Sequence, residues 1–261
     1  MQALASAAAL VLAFALTCAV RPASAQTADD VVERAVAARG GADRIKAMHS
    51  QRLSGKIAYD GDAPGPFMVE MERPGRMREQ VTRQGTTVVR TTDGKSGWVL
   101  DPSSRSSEAH PIDGDELKSM AGSADFEGPL VDYKAKGNSV ALEGKEHVDG
   151  HDAFKLKITL PDSSVRYDYI DSRTFLEVRR DETVRRNGQD VVVESHFREY
   201  RSVNGVMVPF DIESGAQGSR HKRRILLDDV DINAHIADAD FGKPPRARPS
   251  PPPTPADTAT R

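Results

Sequence analysis

The stretch Phe154-Lys155-Leu156-Lys157-Ile158-Thr159-Leu160 alternates apolar and polar residues, with charge at two of its wet positions. A period of two marks a strand with one dry face and one wet face. Working outward, Ser139 to Arg180 reads as four such strands joined by tight turns. Val148-Asp149-Gly150 predicts a three-residue loop with its glycine at positive φ, which sets Leu142 opposite Leu156 and Val140 opposite Ile158. Pro161-Asp162-Ser163-Ser164 predicts a four-residue turn, which sets Leu156 opposite Tyr169 and Ile158 opposite Tyr167. Asp171 to Thr174 then aligns Tyr169 with Leu176 and Tyr167 with Val178. One tier of large apolar side chains crosses all four strands, and Lys155, Lys157, Arg166, Asp168, Glu177 and Arg179 fall on the opposite face.

The same rhythm continues toward the C-terminus. Asn187-Gly188 and Asn204-Gly205 are two-residue hairpin signals that carry the tier from Val178 to Phe197 and from Phe197 to Ile212. The register also sets Glu182 opposite Val193 and Glu199 opposite Phe210, which calls for a bulge or a rim position. Pro209 cannot donate to a ladder, so its strand is bulged or at an edge there.

Toward the N-terminus, strands are expected over Ser50 to Tyr59, Phe67 to Arg73, Arg76 to Gln84, Thr86 to Thr92 and Ser96 to Leu100, separated by Gly or Pro. Phe67, Val69 and Met71 share one face of the second, and Met77 and Val81 one face of the third. Helix signals are few. Thr27 and Asp29 cap a helix through Val31, Val32, Ala35, Val36 and Ala38 that stops at Gly40-Gly41, a short turn covers Ala42 to Met48, and Asp113 to Ala121 is a further amphipathic segment. About a dozen antiparallel strands curl into a barrel or split into a sandwich, and two or three short helices act as lids rather than a full second layer.

The ends fall outside this pattern. Residues 1–25 read as a signal peptide: Ala3 to Val20 is weakly polar to apolar, and Ala23-Ser24-Ala25 before Gln26 suits cleavage and export. The single cysteine, Cys18, lies inside that run without the flanking residues of lipoprotein processing, so the mature chain has no thiol for disulfides or metal. Residues 26–243 form the expected domain. Residues 244–261 are Pro, Ala, Ser, Thr, Asp and Arg with Gly-free spacing, and read as a solvated Pro-rich tail.

A net charge of −3 gives no basic bias toward nucleic acid, and an aromatic content of 5% offers no stacking platform for bases. No nucleophile elbow, phosphate loop, dinucleotide fingerprint or His-Glu zinc motif is present. His147 and His151 are expected opposite each other across a hairpin, with no third ligand beside them. Asp229, Asp231 and Asn233 resemble the start of a calcium loop, but Val230 and Ile232 alternate with them as on a half-buried strand. Arg220 to Arg224 is the densest basic cluster, a contact for an anionic headgroup or acidic partner or, more simply, a solvated strand start.

Several segments carry a family resemblance. Asp93-Gly94-Lys95-Ser96-Gly97-Trp98, Asp125-Phe126-Glu127-Gly128-Pro129-Leu130-Val131-Asp132-Tyr133-Lys134, Gly144-Lys145-Glu146, Phe154-Lys155-Leu156-Lys157, Val208-Pro209-Phe210 and Asp240-Phe241-Gly242-Lys243-Pro244 resemble the outer-membrane lipoprotein-sorting protein family, the LolA-like periplasmic proteins. The likeness runs from about Ala35 to Phe241 and is to the broad branch rather than the dedicated carrier. It implies a mainly β fold: a strongly curved antiparallel sheet, an incomplete barrel, covered by short α-helices. It also implies a periplasmic, monomeric, non-enzymatic carrier without cofactor or metal. Its partners would be lipid or lipoprotein acyl chains, with transient membrane contact. The alternative is an envelope-stress sensing or scaffold module that binds an envelope protein partner. The expected cavity lining is Val69, Met71, Met77, Val81, Trp98, Leu156, Ile158, Tyr167, Tyr169, Leu176, Val178, Phe197 and Phe210.

Overall fold

The computed structural model describes residues 26–104, 108–112, 114–186 and 188–246. The expected leader, most of the Pro-rich tail, Asp113 and Asn187 of the Asn187-Gly188 turn lie outside the described residues. Three helices, α1 (Ala28–Arg39), α2 (Ala42–Lys46) and α3 (Gly114–Ser123), accompany two runs of strands. The first run is β1 (Ser50–Tyr59), β2 (Gly65–Glu72), β3 (Arg76–Arg83), β4 (Thr86–Thr92), β5 (Gly97–Leu100) and β6 (His110–Pro111). The second is β7 (Ser139–Val148), β8 (His151–Thr159), β9 (Val165–Asp171), β10 (Glu177–Arg186), β11 (Gln189–Val203), β12 (Val206–Ala216) and β13 (Lys222–Ile232).

All thirteen strands belong to one antiparallel sheet in the order β6-β5-β4-β3-β2-β1-β13-β12-β11-β10-β9-β8-β7. Each run is a simple meander, and β1 pairing with β13 joins the two. The end strands β6 and β7 do not pair with each other, so the barrel stays open. Its curvature is strong: α3 touches β3 and β4 on one side and β10, far away in the sheet order, on the other. Irregularities at Ser54/Gly55, Leu142/Lys145 and Glu177/Arg179 supply local bends.

The helices cover different parts of the inner face. The α1 N-terminus is closed by a reciprocal capping box between Thr27 and Asp30. Val31, Val32 and Ala35 of α1 pack on Phe154, Leu156, Ile170 and Phe175. Met120 of α3 joins Ile57, Phe67, Val69, Met71, Met77, Val81 and Phe210 in the largest apolar cluster.

Three registers differ from the expectation, each because a turn or bulge has its own geometry. In β7–β8 the pairs Val140–Ile158 and Leu142–Leu156 form as predicted. A bulge follows, with Gly144 at φ 116°, and the loop shrinks to Asp149 (φ 49°) and Gly150 (φ 84°), a two-residue turn of the primed kind. His147 therefore pairs with Asp152 and His151 with Val148, so the two histidines do not face each other.

In β8–β9 the turn takes in five residues, not four. Ser163 is left-handed (φ 67°), Leu160 N–H donates to the Ser164 carbonyl, and the Asp162 carboxylate accepts from Ser164 N–H and Oγ. Thr159 then pairs with Val165, Lys155 with Tyr169 and Leu156 with Asp168. A slip of one residue exchanges the faces of a strand. Tyr167 and Tyr169 accordingly lie on the outer face, and Arg166, Asp168 and Ile170 on the inner.

In β9–β10 the Asp171 carboxylate gathers Arg173 N–H, Thr174 N–H and Thr174 Oγ1, and Phe175 is left-handed at φ 59°. This longer loop leaves Leu176 outside the strand, and Glu177 pairs with Ile170, Arg179 with Tyr169 and Arg180 with Asp168. Val178, at the bulge, packs with Val148, Ala153 and Tyr169 on the outer face.

Later registers match. Val184 pairs with Val191, Glu182 with Val193 and Phe197 with Ile212. Glu199 is left-handed (φ 53°) and is not among the paired residues, yet the register runs unshifted from Arg198–Asp211 to Tyr200–Pro209, so the mismatch with Phe210 is met by a local backbone irregularity rather than the expected bulge. Pro209 pairs only toward β11, since the β12–β13 ladder spans Asp211–Gly215. Val230 and Ile232 are buried while Asp229 and Asp231 are exposed, as on a half-wet strand. In the basic cluster, Lys222, Arg223 and Arg224 are engaged by Glu194, Ser214 and Asp211.

Candidate functional site

A cavity of about 1230 Å³ lies inside the half-barrel, beneath α1, α3 and the segment 124–131. This exceeds the roughly 300–1,000 Å³ of ordinary ligand pockets. Its lining has two ends of different chemistry. Ile45, Met48, Leu53, Met71, Ile212 and Leu227 make an apolar end against the large core of β1–β3 and β13. Arg39, Arg166, Asp168, Glu177, Arg180 and Tyr200 make a polar end on α1 and the inner faces of β9–β11.

The polar end is a network. Arg180 grips Glu177 with Nε and Nη2 at 2.9 and 2.8 Å, a bidentate pair, and its Nε is 3.8 Å from Asp168. Arg166 Nη2 donates to Asp168 Oδ2 at 2.7 Å. Tyr200 hydroxyl donates to the Glu177 carbonyl at 2.8 Å, and the Arg180 guanidinium stands 4.9 Å from the Phe197 ring centre. Asp168 is 1% exposed, and its Oδ1 and Arg166 Nε are buried without a hydrogen-bond partner.

The charges respond to this setting. Burial raises the Glu177 carboxyl, with the Arg180 guanidinium opposing. Burial alone would lower Arg180, but the carboxylates of Glu177 and Asp168 hold it above the usual arginine value. Burial, then the Glu177 carboxylate, pushes the Tyr200 hydroxyl up.

Arg39, in the last turn of α1, closes the cavity on another side. Its Nη1 donates to the Glu127 carbonyl at 2.7 Å and its Nη2 to the Phe126 carbonyl. Burial lowers its pKa, opposed by Glu177. Glu127 itself is held by Arg73 at 2.8 Å and Lys136 at 2.5 Å. Across the mouth, Lys118 of α3 meets Asp162 of the β8–β9 turn at 2.9 Å.

Of the thirteen residues expected to line the cavity, Met71, Leu176 and Phe197 do so. Val69, Met77, Val81 and Phe210 are core residues of the cluster beneath α3. Leu156 is core beneath α1, and Ile158 is fully buried two residues further along β8. Tyr167, Tyr169 and Val178 belong to the outer-face cluster. Trp98 packs with Val89, Leu100 and Ala109, while its neighbour Val99 packs into the inner core. Arg166, Asp168, Glu177 and Arg180 were missed because the predicted turns on either side of β9 were too short; Arg39 on α1 and Tyr200 on β11 lie outside those turns and were not singled out. The available signal was local: Asp162 and Asp171 are each followed by Ser or Thr two or three residues on, a pattern that builds side-chain-closed loops.

His147 Nδ1 lies 3.1 Å from Asp152 and His151 Nδ1 2.7 Å from Asp171, so each imidazole has its own carboxylate. Among the described residues, no group of three His, Cys, Asp or Glu is placed to hold a metal ion. Nor is any helix of the described residues long and apolar enough to cross a membrane.

The sequence matches no protein-family model and no curated protein. Solved structures share the fold at low identity. A DUF1329 family protein from Desulfovibrio piger superposes with a TM-score of 0.55 at 14% identity, covering 82% of this chain and 97% of that one. A LolA superfamily protein from Nitrosomonas europaea gives 0.51 at 17%, covering 84% and 99%. A domain assigned to outer membrane lipoprotein sorting, from Vibrio parahaemolyticus, gives 0.51 at 11%, covering 82% and 95%. The architecture is thus the LolA-like open half-barrel, the fold these proteins have in common.

Proposed function

We propose that this protein is a periplasmic carrier that holds the acyl chain of a lipid or lipoprotein inside the half-barrel. The observation that supports it is the cavity: about 1230 Å³, with one end lined by Met48, Leu53, Met71, Ile212 and Leu227. Each methylene buried there contributes roughly 0.8 kcal/mol, so one long chain supplies a large driving force without any cofactor. The LolA-like fold is consistent with such a task, and the cavity carboxylates Asp168 and Glu177 are engaged by arginines rather than poised for acid–base chemistry. Under this reading residues 1–25 direct export, and the mature protein begins at Gln26.

Organic extracts of the protein purified from periplasm, examined by mass spectrometry, are expected to contain co-purified lipid. The delipidated protein is expected to rebind an acyl chain, and Ile212→Trp to block rebinding by filling the apolar end while the sheet stays folded. A folded Ile212→Trp variant that binds as well as the parent would rule out this cavity, and intact Met1 in a membrane fraction would rule out the export step.

A further inference from the structure

We infer that the polar end of the cavity is a headgroup site, and that the ligand is an anionic amphiphile: an acyl chain ending in a carboxylate or phosphate. The inference rests on the carrier reading and narrows its ligand. A bare hydrocarbon chain needs no charges in its container. Ion pairs withdrawn from water are commonly no more stabilising than the apolar residues that would replace them, so a floor like that of β1–β3 would serve a bare chain at least as well. The inner faces of β9–β11 carry charges instead, at the far end of a continuous cavity whose other end is apolar.

The charge count at that end favours an anion. Arg39, Arg166 and Arg180 face Asp168 and Glu177, three guanidinium groups against two carboxylates. Among the described residues Arg39 bonds to the carbonyls of Phe126 and Glu127 and to no carboxylate. Two further lining carboxylates are closed by their own cations, Glu127 by Arg73 and Lys136 and Asp162 by Lys118. Glu182, opposite Arg166 in the register, and Asp115, Asp125 and Asp190 also border the cavity but are exposed, where water and salt screen them.

Donor geometry points the same way. Arg166 and Arg180 sit on neighbouring strands, with Arg180 directly opposite Asp168 and Arg166 two residues from it on the same face. Each is anchored on one side, Arg166 through Nη2 and Arg180 through Nε and Nη2. Neither Nη1 group has a hydrogen bond within the described residues. Two anchored guanidinium groups that border one space can present a forked set of donors matched to a carboxylate or phosphate. Phe197, beneath Arg180, marks where apolar wall gives way to charge.

The test uses the delipidated full-length chain, titrated calorimetrically with dodecanoate, dodecyl phosphate, dodecanol and acetate below their aggregation concentrations. Dodecanoate and dodecyl phosphate should bind at least about tenfold tighter than dodecanol, the scale of one charge-assisted hydrogen bond, and acetate should give no detectable binding. Arg180→Met should abolish the preference, bringing dodecanoate and dodecanol to within about threefold of each other. Because that variant strands Glu177, the pairs Glu177→Met/Arg180→Met and Arg166→Met/Asp168→Met, which remove each carboxylate with its arginine, provide a second route to the same loss of preference. Equal affinity for acid and alcohol would overturn the headgroup site and leave the carrier reading intact. Acetate binding as tightly as dodecanoate would replace it with a small-anion site. If none of the three chain-bearing probes binds, the carrier reading falls and the headgroup site with it.

Discussion

The inner faces of β1–β3 and of β9–β11 belong to one continuous sheet, yet they are built from different chemistry. In the first, Ile57, Phe67, Val69, Met77 and Val81 are buried by one another and by α3. In the second, Arg166, Asp168, Glu177 and Arg180 turn inward and border open space. An apolar surface left uncovered is an aggregation hazard, whereas a hydrogen-bonded charged surface tolerates water. The sheet can therefore stay open without a complete helical layer: α3 covers the apolar inner face of β1–β3, α1 covers the smaller apolar patch of Phe154, Leu156, Ile170 and Phe175, and the charged stretch between them needs no cover.

The largest expected effects break each half in turn. Phe67→Ala should cost about 3–5 kcal/mol through the cavity it leaves, and Asp168→Ala a similar 3–5 kcal/mol because it strands the guanidinium of Arg166. The halves should then part company. Adding Val81→Ala, directly opposite Phe67 in the register, should deepen the first loss. Converting both members of the other pair, Arg166→Leu/Asp168→Leu, should recover most of the second. Urea unfolding of the singles and doubles checks this, and a charged half that behaves additively like the apolar half would remove the contrast.

A smaller effect tests the turn that aims the charged half. Asp171 is 1% exposed; burial alone would raise its pKa, but hydrogen bonds from Thr174, His151 and Arg173 bring it down to about 2. A carboxyl whose pKa falls on folding stabilises the protein fully above its unfolded pKa and loses that stability as pH drops through the folded value. The contribution is on the order of 2 kcal/mol, present from neutral pH down to about pH 4 and lost toward pH 2. Asp171→Asn should flatten that part of the stability–pH curve, measured by urea titration between pH 2 and 6. An unchanged slope would mean that this turn does not set the β9–β10 register through its carboxylate.

These turns also explain how much of the molecule was legible in its sequence. The approximate number of strands and the hairpins at Val184–Val191 and Phe197–Ile212 follow from patterns of period two and from Asn-Gly signals, and the capped first helix from Thr27 ahead of an apolar run. The strand pattern alone left barrel and sandwich open, and the open half-barrel was expected only from the family resemblance. The apolar half was read correctly as a face because Phe67, Val69 and Met71 alternate without interruption. The charged end was not legible. On β9 one phase carries Val165, Tyr167 and Tyr169 and the other Arg166, Asp168 and Ile170, so hydrophobicity alone favoured placing Tyr167 and Tyr169 inward. Two loops one to three residues longer than their commonest lengths reversed that choice. Face assignment passes through every turn in a meander, so an error in one loop relocates a whole strand of candidate site residues.

The smallest expected effect is none at all, and it distinguishes the inside of the sheet from the outside. Trp98, the single tryptophan, pairs with Thr91 and Pro111 and packs with Val89, Leu100 and Ala109. Its neighbour Gly97 faces the other way: a side chain there would meet Leu117 and Ile112 beneath α3. Strand alternation therefore puts the indole on the face opposite the cavity. An acyl chain that enters the cavity should leave Trp98 emission unchanged even at saturation. In a Trp98→Phe background, Phe197→Trp places the only indole on the cavity lining beside Arg180, and the same ligand should then shift and quench its emission. The pair of titrations reads the two faces of one sheet with one fluorophore. A ligand-induced shift at Trp98 in the parent, with silence at position 197, would move the binding surface to the outer face and take the carrier cavity with it.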